Sequence, residues 1–225
     1  MAGVVAVTGA TGGIGSAVVA RLAASGYEVV AFGRSEEALA ELPAAVRVPL
    51  DLAAGVIEAP AGFERLDGLV HCAGISEVGS VADTPREVWE TLLAVNVTGP
   101  AELTRVLLPA LRAAGGHVIF VNAAPGLHGV PNWSAYTASK AALTELADSL
   151  REEEAAHGVR VTSIYPGGVR TEMLRRVREQ LGRPYDPAVT VLPETLASLV
   201  VTLLEFPADA QVLEVSLRAA PPRPG

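Results

Sequence analysis

The chain has 225 residues, half of them hydrophobic, and a formal net charge of -8 at pH 7. That length builds one substantial core, and no Pro/Ser/Gly-rich linker or block of charge divides it, so one domain is expected over 1–218 with a frayed, proline-rich tail at 219–225. The acidic balance argues against a nucleic-acid surface, which needs a basic stripe, and a lone cysteine, Cys72, excludes an internal disulfide and suits a reducing cytoplasm.

The N-terminus runs straight into a strand-like segment with no basic region leading an apolar one, so no secretory signal is expected. The longest stretch without a formal charge, Ala113 to Ser139, is interrupted by Gly115, Gly116, Asn122, Pro125, Gly126, Gly129 and Pro131, which a membrane helix would not tolerate. Short apolar, β-branched runs alternate with segments of helical period. The strand candidates are Val4 to Val7, Glu28 to Phe32, Val46 to Leu50, Gly68 to His71, His117 to Asn122, Arg160 to Tyr165 and Gln211 to Val215. Seven strands so interleaved predict an α/β fold, a Rossmann-type doubly wound parallel sheet with helices on both faces.

Between the first strand and first helix lies Thr8-Gly9-Ala10-Thr11-Gly12-Gly13-Ile14-Gly15. A dinucleotide's phosphates meet backbone N–H groups and the positive helix end at such a position, and side chains there would hold them off. Gly9, Thr11, Gly13, Ile14 and Gly15 are therefore candidate cofactor ligands, although a plain tight turn would use glycine as well. At the end of the second strand, where an acidic residue would bond a ribose 2'-hydroxyl, stands Gly33-Arg34-Ser35. A guanidinium suits a 2'-phosphate, which favours NADP(H) over NAD(H) and makes Arg34 and Ser35 candidate ligands. Asp51 and Leu52, ending the third strand, are candidates for the adenine; Asp51 equally suits a turn. No metal-ligand cluster is read.

Tyr136 and Lys140 stand four residues apart on a helical segment, hence on one face, where the ammonium would favour ionisation of the phenol. A phenol so tuned passes a proton to or from a carbonyl or hydroxyl oxygen, the need of an alcohol/ketone oxidoreductase. Upstream, Pro100 lacks the N–H that would bond the carbonyl of Asn96, leaving that carbonyl free in mid-helix. The basic residues Arg170, Arg175, Arg176, Arg178 and Arg183 cluster, but acidic neighbours interrupt them, and a solvated helix face is the reading.

Together these residues resemble the short-chain dehydrogenase/reductase family over nearly the whole chain. The match rests on the TGxxxGxG turn, the Ala73-Gly74 pair after the fourth strand, Asn96, Tyr136-x-x-x-Lys140, and Pro166-Gly167 with Thr171 after the sixth strand. The resemblance implies a nicotinamide cofactor, with Ala73 and Gly74 in its site. It further implies that Lys140 also bonds the nicotinamide ribose, that Pro166, Gly167, Val169 and Thr171 hold the nicotinamide end, and that Asn96 holds a relay water. It also implies subunit pairing through helices near 97–114 and 134–156, giving a homodimer or homotetramer. His71 and Cys72 replace the family's two asparagines and read as strand-end packing. Leu127, His128, Trp133, Met173 and Leu174 are expected around a moderately apolar substrate pocket under a lid at 172–192.

One departure bears on activity. The family places a serine thirteen residues before the tyrosine, and here that position is Ala123. The leading expectation is an NADP(H)-dependent oxidoreductase acting on a small carbonyl or alcohol, slowed by Ala123, with substrate orientation left to Tyr136 or to a neighbour such as Asn122. The alternatives are a dinucleotide-binding sensor or partner-binding module with weak turnover, or an alanine introduced into a competent enzyme.

Overall fold

A computed structural model of the chain describes residues 3–54, 56–58, 64–123 and 129–221. Its elements are β1 (Val4–Thr8), α1 (Gly13–Ala24), β2 (Glu28–Gly33), α2 (Glu36–Ala40), β3 (Val46–Pro49), β4 (Gly68–His71), α3 (Arg86–Leu93), α4 (Gly99–Ala114), β5 (His117–Val121), α5 (Ser134–Glu154), β6 (Arg160–Pro166), α6 (Glu172–Gln180), α7 (Pro193–Leu204) and β7 (Glu214–Leu217). A π turn, Ala94–Thr98, joins α3 to α4. The strands form one sheet in the order β3-β2-β1-β4-β5-β6-β7, every pair parallel.

Strand alternation distributes the core. Val5 and Val7 face one side with Val18, Val19 and Leu22 of α1 and Leu196, Val200 and Val201 of α7. Ala6 between them faces the other side with Leu103 and Leu107 of α4 and Leu143 and Ala147 of α5. The same alternation recurs in β5, where Ile119 and Val121 join the first group and Val118 and Phe120 the second. A strand covered on both faces reads as a continuous apolar run, which is how these strands appear in the sequence.

The strand order reverses between β1 and β4, so the carboxyl ends of these two strands diverge into helices on opposite sides and leave a crevice. The turn after β1, the Cys72–Ile75 segment, Asn122–Ala123 and Gly167–Thr171 all follow strand ends at this edge.

Six strands match their expected positions to within a residue or two, whereas β7 lies three residues later than expected at its start. Residues before it are held differently. Thr162 Oγ1 donates to the Val212 carbonyl, Gln211 Nε2 donates to Val161 O at 3.0 Å, and only Glu214 onward pairs in register with Ser163. No described helix is long and apolar enough to cross a membrane.

On the α4/α5 side, Arg112 and Glu154 form a bidentate pair, Nε to Oε2 at 2.7 Å and Nη2 to Oε1 at 2.6 Å, with the Glu154 side chain only 3% exposed. Arg112 holds that carboxyl below its ordinary range. A carboxylate with a lowered folded-state pKa stabilises the fold above its unfolded value near 4.3, and the contribution is lost as pH falls through the lowered value. Arg112→Ala strands the buried carboxylate and should cost about 2 kcal/mol, or about 4 to 8 °C in Tm. Thermal melts from pH 7 to pH 3 check this: the gap between wild type and variant should be full at neutral pH and shrink in acid.

Candidate active site

A cavity of about 460 Å³ opens at the crevice. Gly9, Thr11, Gly13, Ile14, Gly15, Arg34, Asp51, Leu52, Ala73, Gly74 and Thr171 are on its wall. The turn after β1 is pressed flat. Gly9 has φ +62°, and a Cβ there would lie 2.7 Å from the Ala73 backbone, while one on Gly15 would strike the Gly9 carbonyl oxygen. Thr8 Oγ1 accepts from the Ala73 N–H at 3.2 Å and ties β1 to the segment after β4. No side chain caps α1 and no acid lies in its first turn. An uncapped, positive helix end lined by glycine suits an anionic phosphate, and Arg34 beside it suits a second one.

Not every expected ligand stands on this wall. Ser35 instead caps α2, its Oγ accepting from the Ala38 N–H at 3.2 Å. Asp51 lines the cavity and also serves its turn, Oδ1 accepting from the Ala53 N–H at 3.0 Å. Pro166, Gly167 and Val169 line a second, neighbouring cavity of about 210 Å³ with Ala123, Trp133, Tyr136, Met173 and Leu174. Ile14, Thr171 and Met173 are common to both cavities and mark where they meet. Thr171 is fixed there by capping α6, its Oγ1 accepting from the Leu174 N–H at 3.3 Å. Leu127 and His128 lie outside the described residues.

Tyr136 and Lys140 rise from one face of α5, both nearly buried. The Lys140 Nζ donates to the Val121 carbonyl at 3.2 Å, and a Cβ on Gly74 would sit 3.6 Å from it. Burial pushes the Lys140 ammonium down to about 8, so it stays mainly charged at neutral pH. Burial pushes the Tyr136 phenol up to about 12. The expected lowering by Lys140 is therefore not met: desolvation penalises the phenolate, and the ammonium is bonded to a strand carbonyl. His71 is pushed down to about 3 and Cys72 up to about 12, chiefly by burial, so both are neutral. His71 stacks on Phe120 with ring centroids 4.8 Å apart and shares a 2.9 Å hydrogen bond with Thr104, the packing role expected of it.

Asn96 is fully buried in the π turn. Pro100 cannot donate to the turn before it, and the helix widens so that the Gly99 N–H reaches the Ala94 carbonyl. The Asn96 side chain is wholly engaged: Oδ1 accepts from the Ile75 N–H at 2.9 Å, and Nδ2 donates to the Ile75 carbonyl at 3.0 Å and to Ser139 Oγ at 2.9 Å. Ser139 Oγ in turn donates to the Tyr136 carbonyl at 2.7 Å.

Ala123 packs with Tyr136, Leu92 and Ala135 and brings no hydroxyl to the second cavity. Asn122 also lines the second cavity, with Nδ2 donating to Thr144 Oγ1 at 3.0 Å and Oδ1 accepting from the Ala123 N–H at 2.9 Å. Besides Tyr136 and Thr171, a hydroxyl that lines this cavity is that of Ser76, which sequence reasoning missed. It accepts from Trp133 Nε1 at 2.7 Å, and the Trp133 ring stacks on Tyr136 with centroids 4.7 Å apart. Its only sequence signal is its position two residues after Gly74.

The short chain dehydrogenase family profile matches residues 3–182. An uncharacterized short-chain type dehydrogenase/reductase of Sinorhizobium fredii is 34% identical over 220 residues, covering 93% of this chain and 89% of the relative. The closed form of a serine dehydrogenase complexed with NADP+ superposes with a TM-score of 0.83 at 26% identity, covering 95% of this chain and 94% of that one. A 3-ketoacyl-(acyl-carrier-protein) reductase from Brucella melitensis complexed with NADH shares the fold with a TM-score of 0.79 at 21% identity, covering 95% of this chain and 96% of that one. This chain is a member of the short-chain dehydrogenase family and an enzyme of the oxidoreductase class.

Proposed function

We propose that the protein is an NADP(H)-dependent oxidoreductase that interconverts a carbonyl and an alcohol. The observation that carries this is the meeting of the two cavities at Ile14, Thr171 and Met173, with a phosphate cradle on one side and Tyr136 on the other. A nicotinamide bound across that junction would supply or accept the hydride. Tyr136 exchanges the proton with the substrate oxygen. Held near 12, its phenol is protonated at neutral pH, the form that donates to a carbonyl. Lys140, beside Gly74, offers its charge to a ribose hydroxyl. Asn96, its amide committed to Ile75 and Ser139, contributes only the backbone carbonyl of the π turn to a relay water. The segment 172–192, whose α6 walls the second cavity, serves as the lid. Pro166, Gly167 and Val169 hold the nicotinamide end from the substrate side.

The preference for the phosphorylated dinucleotide rests on Arg34, since relatives in this fold are found with either form. Titration of both should favour NADPH by roughly 10- to 100-fold, the yield of a charge-assisted bidentate contact, and Arg34→Asp should erase that preference. Equal affinities in wild type would overturn it.

Ala123 leaves the developing oxyanion without its second donor, which is typically worth roughly 10²- to 10³-fold in rate. Ala123→Ser should therefore raise kcat on a carbonyl substrate by on the order of 10²-fold with cofactor affinity unchanged, while Tyr136→Phe abolishes turnover in either background. Alcohol oxidation needs the phenolate, so its rate should climb from pH 7 to pH 10 while carbonyl reduction does not. The same residue favours the rival reading, a dinucleotide-binding module with weak turnover. A panel in which Ala123→Ser gains nothing and Tyr136→Phe loses nothing would establish that reading instead.

The outer surfaces of α4 and α5 serve as subunit contacts in this reading, giving a homodimer or homotetramer. Light scattering at micromolar concentration should return a multiple of the 23.2 kDa chain mass, and a monomer mass would refute it.

A further inference from the structure

We propose that the substrate carries a carboxylate or phosphate at the end remote from its reacting carbon, and that Arg178 and Arg183 bind it. This rests on the oxidoreductase reading of the second cavity. Of the five arginines of the basic cluster, four are exposed and Arg178 is half-buried, but their partners differ. Arg175 is paired with Glu172 and Glu179, and Arg170 is bonded to the Pro187 carbonyl. Arg178 and Arg183 line the second cavity.

Their proximity is built into the backbone. Gly182, with φ +62°, reverses the chain after α6, and the Arg183 N–H donates to the Arg178 carbonyl at 2.8 Å. That six-to-one closure is a Schellman motif, which holds Arg183 back against the last turn of the helix. Both side chains reach the same cavity, Arg178 half-buried and Arg183 exposed. Among the described residues neither forms an ion pair, and no Asp or Glu lines the cavity with them. In a chain whose net charge is -8, an acid-free cavity with two cations is a local exception. An anion there can take parallel N–H bonds from either fork.

The remainder of the wall fixes the molecule's other features. Tyr136 stands in the same cavity, and Val169, Met173, Leu174 and Val177 supply apolar surface. The ligand that satisfies all three is an oxo or hydroxy compound whose apolar chain separates the reacting carbon from the anion. Arg178 and Arg183 then bind and orient without entering the chemistry.

The test uses matched pairs with NADPH: oxo acids of medium chain length against their methyl esters, and oxo-alkyl phosphates against the corresponding alcohols. In wild type the anionic member should have a kcat/KM roughly 10- to 100-fold higher, since hydrogen bonds to charged groups are the strong ones. Arg178→Ala combined with Arg183→Ala should remove that preference through KM, leaving kcat and the neutral substrates nearly unchanged. Arg176→Ala, an exposed position off the cavity wall, should leave the preference intact and so separates local binding from general steering. Whether acid or phosphate gains more identifies the anion.

A readout independent of turnover is titration of the protein with octanoate, octanamide and octyl phosphate in the presence of NADP+. Binding of the anions that weakens at least tenfold in the double variant, with octanamide unaffected, upholds the proposal even if no carbonyl is turned over, in which case only the oxidoreductase reading fails. Anionic and neutral ligands treated alike by wild type, or a preference that survives the double variant, overturns it.

Discussion

The side-chain amide of Asn96 is the interaction on which the site's geometry depends. Its three hydrogen bonds use both N–H donors and one lone pair of the oxygen, and they join the segment after β4, the π turn and the first turns of α5. Ile75, gripped at both its N–H and its carbonyl, fixes the run from Gly74 to Ser76, which walls both cavities. Ser139, gripped at its hydroxyl, holds the Tyr136 carbonyl from behind. Asn96 and Ser139 are buried and Ile75 is half-buried, and an unmade buried hydrogen bond costs about 1–3 kcal/mol, so the arrangement that satisfies the amide is favoured. The widened turn is part of the same solution, because Pro100 forbids the regular helix that would otherwise pass through Asn96.

Dryness also sets the charge state of the site. Four ionisable groups, His71, Cys72, Tyr136 and Lys140, cluster at the ends of β4 and α5, and burial moves each of them toward its neutral form. Lys140 alone remains mainly charged at neutral pH. A single cation among neutral neighbours in a low dielectric acts at longer reach than it would in water. The doubly wound sheet creates that environment by covering β1, β4 and β5 on both faces, so that polar chemistry is possible only where the strands end.

Much of the fold was legible because it depends on patterns of near neighbours. Apolar runs gave the strands, and their separation by helical segments gave the parallel order. The last strand slipped because Gln211 to Leu213 look as strand-like as Glu214 to Leu217, and only the bonds from Thr162 and Ser163 decide the register. At the site, Tyr136 with Lys140 and the glycine turn were legible as spacings, and Arg34 as an exchange of charge. The direction of the Tyr136 shift was not, because helical spacing says which groups are near and not how far water is excluded. Ser35 read as a ligand, and its capping of α2 was not legible. Ser76 and the Arg178–Arg183 pair escaped for one reason: their significance lies in which cavity they face, and that is decided by chain segments far away in sequence.

The stack of Trp133 on Tyr136 has an optical consequence. The chain has two tryptophans, and the other, Trp89, packs in the same cluster beside Leu92, Ala135 and Tyr136. Both indoles therefore belong to the cluster around Tyr136, and Trp133, on the wall of the second cavity, is held there by its bond to Ser76. The Trp133 share of the emission reports on the polarity and contents of that cavity, so the protein carries its own spectroscopic probe beside Tyr136.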